Sequence, residues 1–346
     1  MDGDRGEAVE RRGGEVAGFD LPSVLAQLDG TAPTDQLEGV RRIRTVIDEQ
    51  ERPAACVPTV PKLRSLLEQP DLDFHDEVAA CLADLAAEAP DDVAPSVDAI
   101  ANVATERAER PATRELLRCL AAVAAERPDA VADHTAAIAD VLDRRRGYDR
   151  WGLRTLARVS RVQPDAIESA ASVLTDALAA NPTDNGGPAL RALGRLARSD
   201  GGMPSLEFVE HAAELVAHDD SELRYDALGC LGDVADRDPA AVEPVCSDLE
   251  RALSSDDADT RAIAAITIAR VAATHRTAVE PVREALFELL GDEHAHVRAN
   301  ACVALGNGQV DAAAARLADL SSTDPAPNVR DRAGRAVEQL SYSSRS

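Results

Sequence analysis

The chain has few aromatic residues and almost no lysine. Phe, Tyr and Trp make up 2% of its 346 residues, with one Trp, three Tyr and four Phe, and Lys62 is the single lysine among 37 basic residues. A core poor in aromatics must be filled by small and medium side chains, which suits closely stacked helices better than one large globular interior. Long apolar runs are missing too. None approaches the ~20 residues a membrane span requires, and the opening MDGDRGEAVERRGGE is charged where a signal peptide needs an apolar stretch. A cytoplasmic protein without membrane insertion is the expectation. The six cysteines, at positions 56, 81, 119, 230, 246 and 302, form no CxxC pair, which excludes a zinc ribbon and a disulfide framework. With 62 acidic residues against 37 basic ones the net charge is -25, so a polyanion such as nucleic acid or an anionic membrane surface is repelled.

What is present is a repeat. A Leu-x-x-Leu/Val-small block recurs at Leu82, Leu120, Leu156, Leu193, Leu231 and Ile268, in steps of 38, 36, 37, 38 and 37 residues, and one further step of 37 lands on Leu305. Eight residues after each start comes Pro90, Pro128, Pro164, Gly201, Pro239 or Arg276. A chain breaker between two helical patterns marks the turn of a helical hairpin. Beyond it, Val242, Val245, Leu249 and Leu253 in AVEPVCSDLERALSS fall on one helix face. The unit is therefore helix A, turn, helix B, stacked as an α-solenoid of period about 37 residues. The pentapeptide AVEPV occurs at 241–245 and 278–282, one period apart. It is a tooth of this comb, with Pro244 and Pro281 expected in the first turn of helix B.

In the C-terminal half an acidic start precedes each helix A and an arginine follows: Arg224 in DDSELR, Arg261 in DDADTR, Arg298 in DEHAHVR and Arg330 in DPAPNVR. Acidic groups cap the free amides of a helix N-terminus. An arginine one turn later can reach the acid of the next repeat, which makes these four a structural ladder.

The pattern Asp292, Val297, Arg298, Ala301, Ala304, Leu305, Gly306 resembles the HEAT-repeat family, especially its phycobilisome-lyase-like branch. The resemblance covers most of the chain, with departures at Thr113-Arg114 and Asp149-Arg150, one residue out of register. It implies an all-α right-handed superhelix, on the order of 70 to 80 Å long, whose concave face is lined by helix B. The expected organisation is a disordered segment 1–18, a capping helix 19–34, a solenoid of about eight repeats plus a terminal helix over 35–341, and a tail 342–346. Composition rich in Asp and Ala and nearly devoid of lysine is similar to that of salt-accumulating archaea. In molar salt the Debye length falls to about 3 Å, so such acidity is tolerated.

No catalytic constellation emerges. The close histidines His294 and His296 stand at a helix start, and residues on alternate helical positions face apart unless a loop turns them together. The resemblance offers a contrast, since deoxyhypusine hydroxylase in the same family carries His-Glu dipeptides for iron and this chain has none. DNGGP (184–188) and DGGMP (200–204) neither follow a strand nor run into GKS/T, so they read as long turns rather than phosphate cradles. One stretch departs from the rest: DRRRGYDRW, 143–151, with Arg144, Arg145, Arg146, Tyr148, Arg150 and Trp151. It is either an inter-repeat turn or a partner interface, and Trp, Tyr and Arg are the residues that most often dominate interface energy. Further candidate contacts on helix B are Glu243, Arg251, Glu280, Arg283 and Glu284. The expectation is a non-catalytic scaffold or adaptor, a monomeric solenoid binding another protein, with no catalytic residue, cofactor, metal or nucleic acid. The resemblance to proteins of halophilic archaea implies one specific role, linking taxis signalling to motility. The alternatives are a lyase-like or metal-dependent modifying enzyme or its accessory subunit, and, behind these, a nucleic-acid-binding HEAT protein.

Overall fold

A computed structural model describes residues 19–50, 53–145 and 147–343, and among them there is no strand. The helices alternate between two layers. Layer A holds α2 (Pro33–Gln50), α4 (His75–Glu88), α6 (Ala112–Glu126), α8 (Arg150–Val159), α10 (Pro182–Arg198), α12 (Ser221–Arg237), α14 (Ala258–Ala272), α16 (Ala295–Asn307) and α18 (Pro327–Ser343). Layer B holds α1 (Leu21–Leu28), α3 (Val60–Leu67), α5 (Val97–Glu106), α7 (Thr135–Arg144), α9 (Ala171–Ala180), α11 (Phe208–Leu215), α13 (Glu250–Leu253), α15 (Arg283–Leu289) and α17 (Ala314–Thr323). Among the described residues, eight A–B hairpins, α2–α3 through α16–α17, lie between a B helix at one end and an A helix at the other. Consecutive A helices pack on each other along the stack, and the A layer packs on the B layer. The chain is an all-α solenoid, as the comb implies.

The comb residues explain the stack. Leu82, Leu120, Leu156, Leu193, Leu231, Ile268 and Leu305 are each fully buried in the core. An A helix also touches the A helices before and after it, so three of its sides are covered. In α14 this buries Ala262, Ala264, Ala265, Ile268, Ala269, Val271 and Ala272 together with Thr260 and Thr267. Small residues let the axes approach. A Cβ at Gly194 would lie 2.9 Å from the Cα of Cys230, and one at Gly306 would lie 2.7 Å from the Cβ of Ala336. The six cysteines are all buried free thiols, acting as small apolar side chains of this interior.

Several boundaries differ from the sequence reading. The N-terminal helix ends at Leu28, and α2 starts at Pro33, because proline needs no amide partner at a helix start. The terminal helix runs on to Ser343. Residues 1–18, 344–346 and Arg146 lie outside the described residues. Both prolines lie in 3₁₀ segments rather than in a first α-turn: Pro244 sits in Glu243–Leu249, between a single α-turn at Pro239–Val242 and the α-helix from Glu250, and Pro281 sits in Arg276–Val282, with α-helix beginning at Arg283. The proline ring removes an amide and crowds the preceding turn, which the tighter 3₁₀ geometry accommodates. DNGGP is not a turn. Asn181 caps α10 by accepting from the Asp184 amide, Pro182 follows at its first position, and residues 184–188 are helical, with Gly186 beneath Leu223. DGGMP is a turn, and Gly202 there has φ +78°.

Candidate interaction surfaces

The A-layer arginines knit neighbouring hairpins together. Arg298 donates from Nε and Nη2 to both oxygens of Asp324, at 2.8 and 2.9 Å, and from Nη1 to the carbonyls of Asp292 and Glu293. Arg261 repeats the arrangement, with Nε on Asp292 at 2.7 Å and Nη1 on the carbonyls of Ser255 and Asp256. Each aspartate also accepts an amide at the start of the following A helix, Asp292 from His294 and Asp324 from Ala326. Asp324 is held below the usual carboxylate range by Arg298, against the opposing effect of burial. At Asp292 burial opposes ionisation, and Arg261 with the His294 amide more than offsets it. Arg330 donates to the carbonyls of Asp324 and Pro325. Arg224 donates to the carbonyl of His218, but its Nε is buried without a partner, because Asp257 turns to the Thr260 amide and hydroxyl.

A second set of polar links runs back along the same layer. Arg118 reaches Asp84 at 2.7 Å, Arg158 the carbonyl of Ala121, Arg195 that of Ala157, Arg270 that of Gly232 and Asn307 that of Ala269. Sequence reasoning passed over these residues, although their spacing of about one period was there to be read.

The stretch 143–151 divides into two parts. Arg144 pairs with Asp140 and reaches the Thr105 carbonyl, while Arg145 donates to the carbonyls of Ala108 and Arg110. Together they brace the end of α5 and the loop that follows it. Gly147 and Tyr148 take φ of 86° and 51°, reversing the chain, and Asp149 caps α8 by accepting from the Trp151 amide at 2.9 Å. Beyond that reversal Arg150 is exposed, while Tyr148 and Trp151 pack in part against the core. Trp151 is half-buried against the core, and the guanidiniums of Arg150 and Arg154 lie 4.8 and 5.1 Å from its ring centroid. Arg154, Arg158 and Arg161 continue the stripe that Arg150 begins, a helical spacing visible in RWGLRTLARVSR and not weighed in the sequence reading.

The B-layer candidates stand apart from this. Glu243 accepts from the Thr277 hydroxyl at 2.8 Å, linking two hairpins. Arg283 pairs with Glu280 at 3.2 Å and lies 3.9 Å from Glu284, a local exposed cluster. Arg251 is exposed at the mouth of a groove of about 370 Å³ that also contains Arg224 and His218. Wider grooves open at the other end of the stack. One of about 610 Å³ lies beside Asp29 and Lys62, and one of about 560 Å³ beside His75, Arg107 and Arg110. His294 precedes α16 in extended backbone, so its ring meets that of His296 edge-on at 5.7 Å instead of facing away. Among the described residues no group of three or more His, Cys, Asp or Glu is arranged to hold a metal, and no helix is long and apolar enough to cross a membrane.

This architecture defines an α-solenoid whose accessible surfaces are extended helix faces and open inter-repeat grooves. Residues 247–338, from the sixth hairpin into the terminal helix, match the family of HEAT repeats. No curated protein matches the chain in sequence. Among solved structures, the chain is similar to the crystal structure of an engineered protein, with a TM-score of 0.77 and 23% identity, over 92% of this chain and 88% of that one. A second engineered protein is 20% identical over 82% of this chain and 96% of that one, at a TM-score of 0.36. The first likeness shows the solenoid fold.

Proposed function

We propose that this protein is a non-catalytic scaffold or adaptor, a monomeric cytoplasmic solenoid that binds another protein along its helix faces. HEAT repeats generally mediate protein–protein interaction, and the extended surface supports that reading. The observation that carries it is Trp151. The single tryptophan is left partly in solvent on the A layer, flanked by two guanidinium planes. Residues of this kind supply much of the energy of protein interfaces. The segment of Tyr148, Arg150 and Trp151 is the primary contact in this proposal, and the B-layer charges Glu243, Arg251, Glu280, Arg283 and Glu284 are secondary ones. Kinship with the phycobilisome-lyase-like branch, a salt-accumulating archaeal source and an adaptor role between taxis signalling and motility belong to the same proposal. Their support is the pattern Asp292 to Gly306 and the acidic, lysine-poor composition.

The test is affinity capture from the source cells at their own ionic strength, with wild type and Trp151→Ala as baits. A stoichiometric partner lost on the substitution supports the proposal. A purified protein carrying stoichiometric iron or zinc, or turning over a small substrate, would replace it with the enzyme reading.

A further inference from the structure

The A layer carries a basic face in a molecule whose net charge is -25. Arg150, Arg154, Arg158 and Arg161 are spaced by four, four and three residues, so they form one stripe along α8 and the turn after it. Arg191, Arg195 and Arg198 form a parallel stripe on the adjacent α10. Among the described residues, direct salt bridges form at only one margin of this face. Arg191 pairs with Asp226 at 2.6 Å and Arg198 with Asp233 at 3.0 Å, both from α12. Arg158 and Arg195 each donate to a backbone carbonyl of the preceding A helix, and Arg150 and Arg154 lie over Trp151.

Among the described residues no carboxylate lies within 4 Å of Arg150, Arg154, Arg158, Arg161 or Arg195. Like charges therefore crowd one another. Burial lowers the Arg158 pKa, and Arg154 and Arg161 lower it further. Burial and then Arg191 do the same at Arg195, with Asp233 and Asp226 offsetting part of it, as Glu126 does at Arg158. Two exposed large apolar side chains border the face: Val162 follows Arg161, and Tyr225 precedes Asp226.

We infer that this face docks a short acidic segment of a partner protein, its carboxylates pairing with Arg154, Arg158, Arg161 and Arg195 while flanking apolar side chains cover Trp151 and Val162. Charge complementarity selects the occupant, since these guanidiniums can form bidentate pairs with carboxylates. The dimensions select its length. Arg150 to Arg161 spans about 16 Å of helix, which an extended chain covers in about five residues. A long polyanion such as nucleic acid would run on to Asp226, Asp233 and Asp236 on one side and Glu115 and Glu126 on the other, and be repelled. In strong salt, where screening acts within about 3 Å, direct pairs of this kind persist when long-range attraction does not. The inference rests on the scaffold reading and adds the chemistry of the partner.

The probe is a fluorescein-labelled peptide of about eight residues, glutamates with a leucine near each end. It is titrated into wild type, into Arg154→Glu/Arg161→Glu, and into Arg316→Glu/Arg335→Glu, which has the same charge change on other, exposed surfaces. Circular dichroism checks that all three are folded. Wild type binds, the first variant binds at least about tenfold more weakly, and the control stays within about twofold. Equal binding by both variants, no binding by wild type, or tighter binding of a single-stranded oligonucleotide of equal charge would overturn the inference. The same proteins then serve as baits in the source cells. A partner held equally by wild type and the first variant removes the docking site and leaves the scaffold. No partner held by any bait removes the scaffold reading itself.

Discussion

Asp324→Asn isolates what one rung of the arginine ladder contributes. The carboxylate takes two hydrogen bonds from Arg298, at 2.8 and 2.9 Å, with the two side chains 2% and 11% exposed. Asparagine keeps an oxygen for the Ala326 amide, so the cap at the start of α18, worth about 1 kcal/mol, survives. What is lost is the charge facing a buried guanidinium, at a cost of about 3 to 5 kcal/mol. A solenoid couples each hairpin mainly to its neighbours, so the loss falls on α16, α17 and α18 and not on α4. At about 1.4 kcal/mol per tenfold, amide protection in α18 should fall by roughly 100-fold to a few thousandfold in native-state hydrogen exchange, with α4 unchanged. Replacing both partners, Arg298→Met with Asp324→Leu, should recover most of the loss, because no charge is then left buried. The sign of the acid dependence is also set. The folded pKa of Asp324 lies below its unfolded value of about 3.9, so the pair contributes fully above that pH and is lost as pH falls through the depressed value. A fall of less than about fivefold in α18 protection would mean the pair is screened like a surface one, and the reasoning from burial would be wrong.

Three other outcomes follow from the same structure. Burial pushes Cys56 up to about 11 and Cys119, Cys246 and Cys302 to about 12, against about 8.5 unfolded. Stability should be complete below about pH 8.5 and fall as pH rises toward those values, by up to about 1.4 kcal/mol per pH unit for each thiol. Thermal midpoints that stay flat into strong alkali would contradict this. Gly306→Ala places a methyl 2.7 Å from the Cβ of Ala336 and 2.9 Å from its Cα, which should loosen α18 by about 1 to 3 kcal/mol; an unchanged urea midpoint would show that the helices can separate freely. Arg283→Ala removes exposed local pairs with Glu280 and Glu284 and should shift stability by less than about 0.5 kcal/mol, so a larger change would show that this arginine braces the B layer.

Much of the fold was legible because a solenoid writes its geometry into a period. The steps near 37 residues from Leu82 to Leu305 mark one core position on successive A helices, and every one of those side chains is buried. The boundaries were less legible where two local rules compete. Pro188 and two glycines in DNGGP read as a turn, yet the Asn181 cap and Pro182 start the helix earlier, and packing beneath Leu223 and Leu178 holds it. Pro244 reads as a first helical turn, and the chain tightens into 3₁₀ around it instead.

Sequence alone determined the all-α class, the hairpin unit and the apolar teeth, because those depend on the spacing of side chains along one helix. Only the tertiary structure decided which charges find partners. Arg144, Arg145, Arg150 and Arg154 are alike in sequence, but the first two, ahead of the chain reversal at Gly147 and Tyr148, donate to carbonyls at the end of α5 and in the loop after it, whereas the last two, beyond it, lie over Trp151. Arg261 and Arg298 meet an aspartate of the next hairpin, whereas at Arg224 the corresponding Asp257 turns to Thr260. Pairing across hairpins depends on register between stacked helices, and that register is set by packing over the whole array rather than by any local stretch of residues.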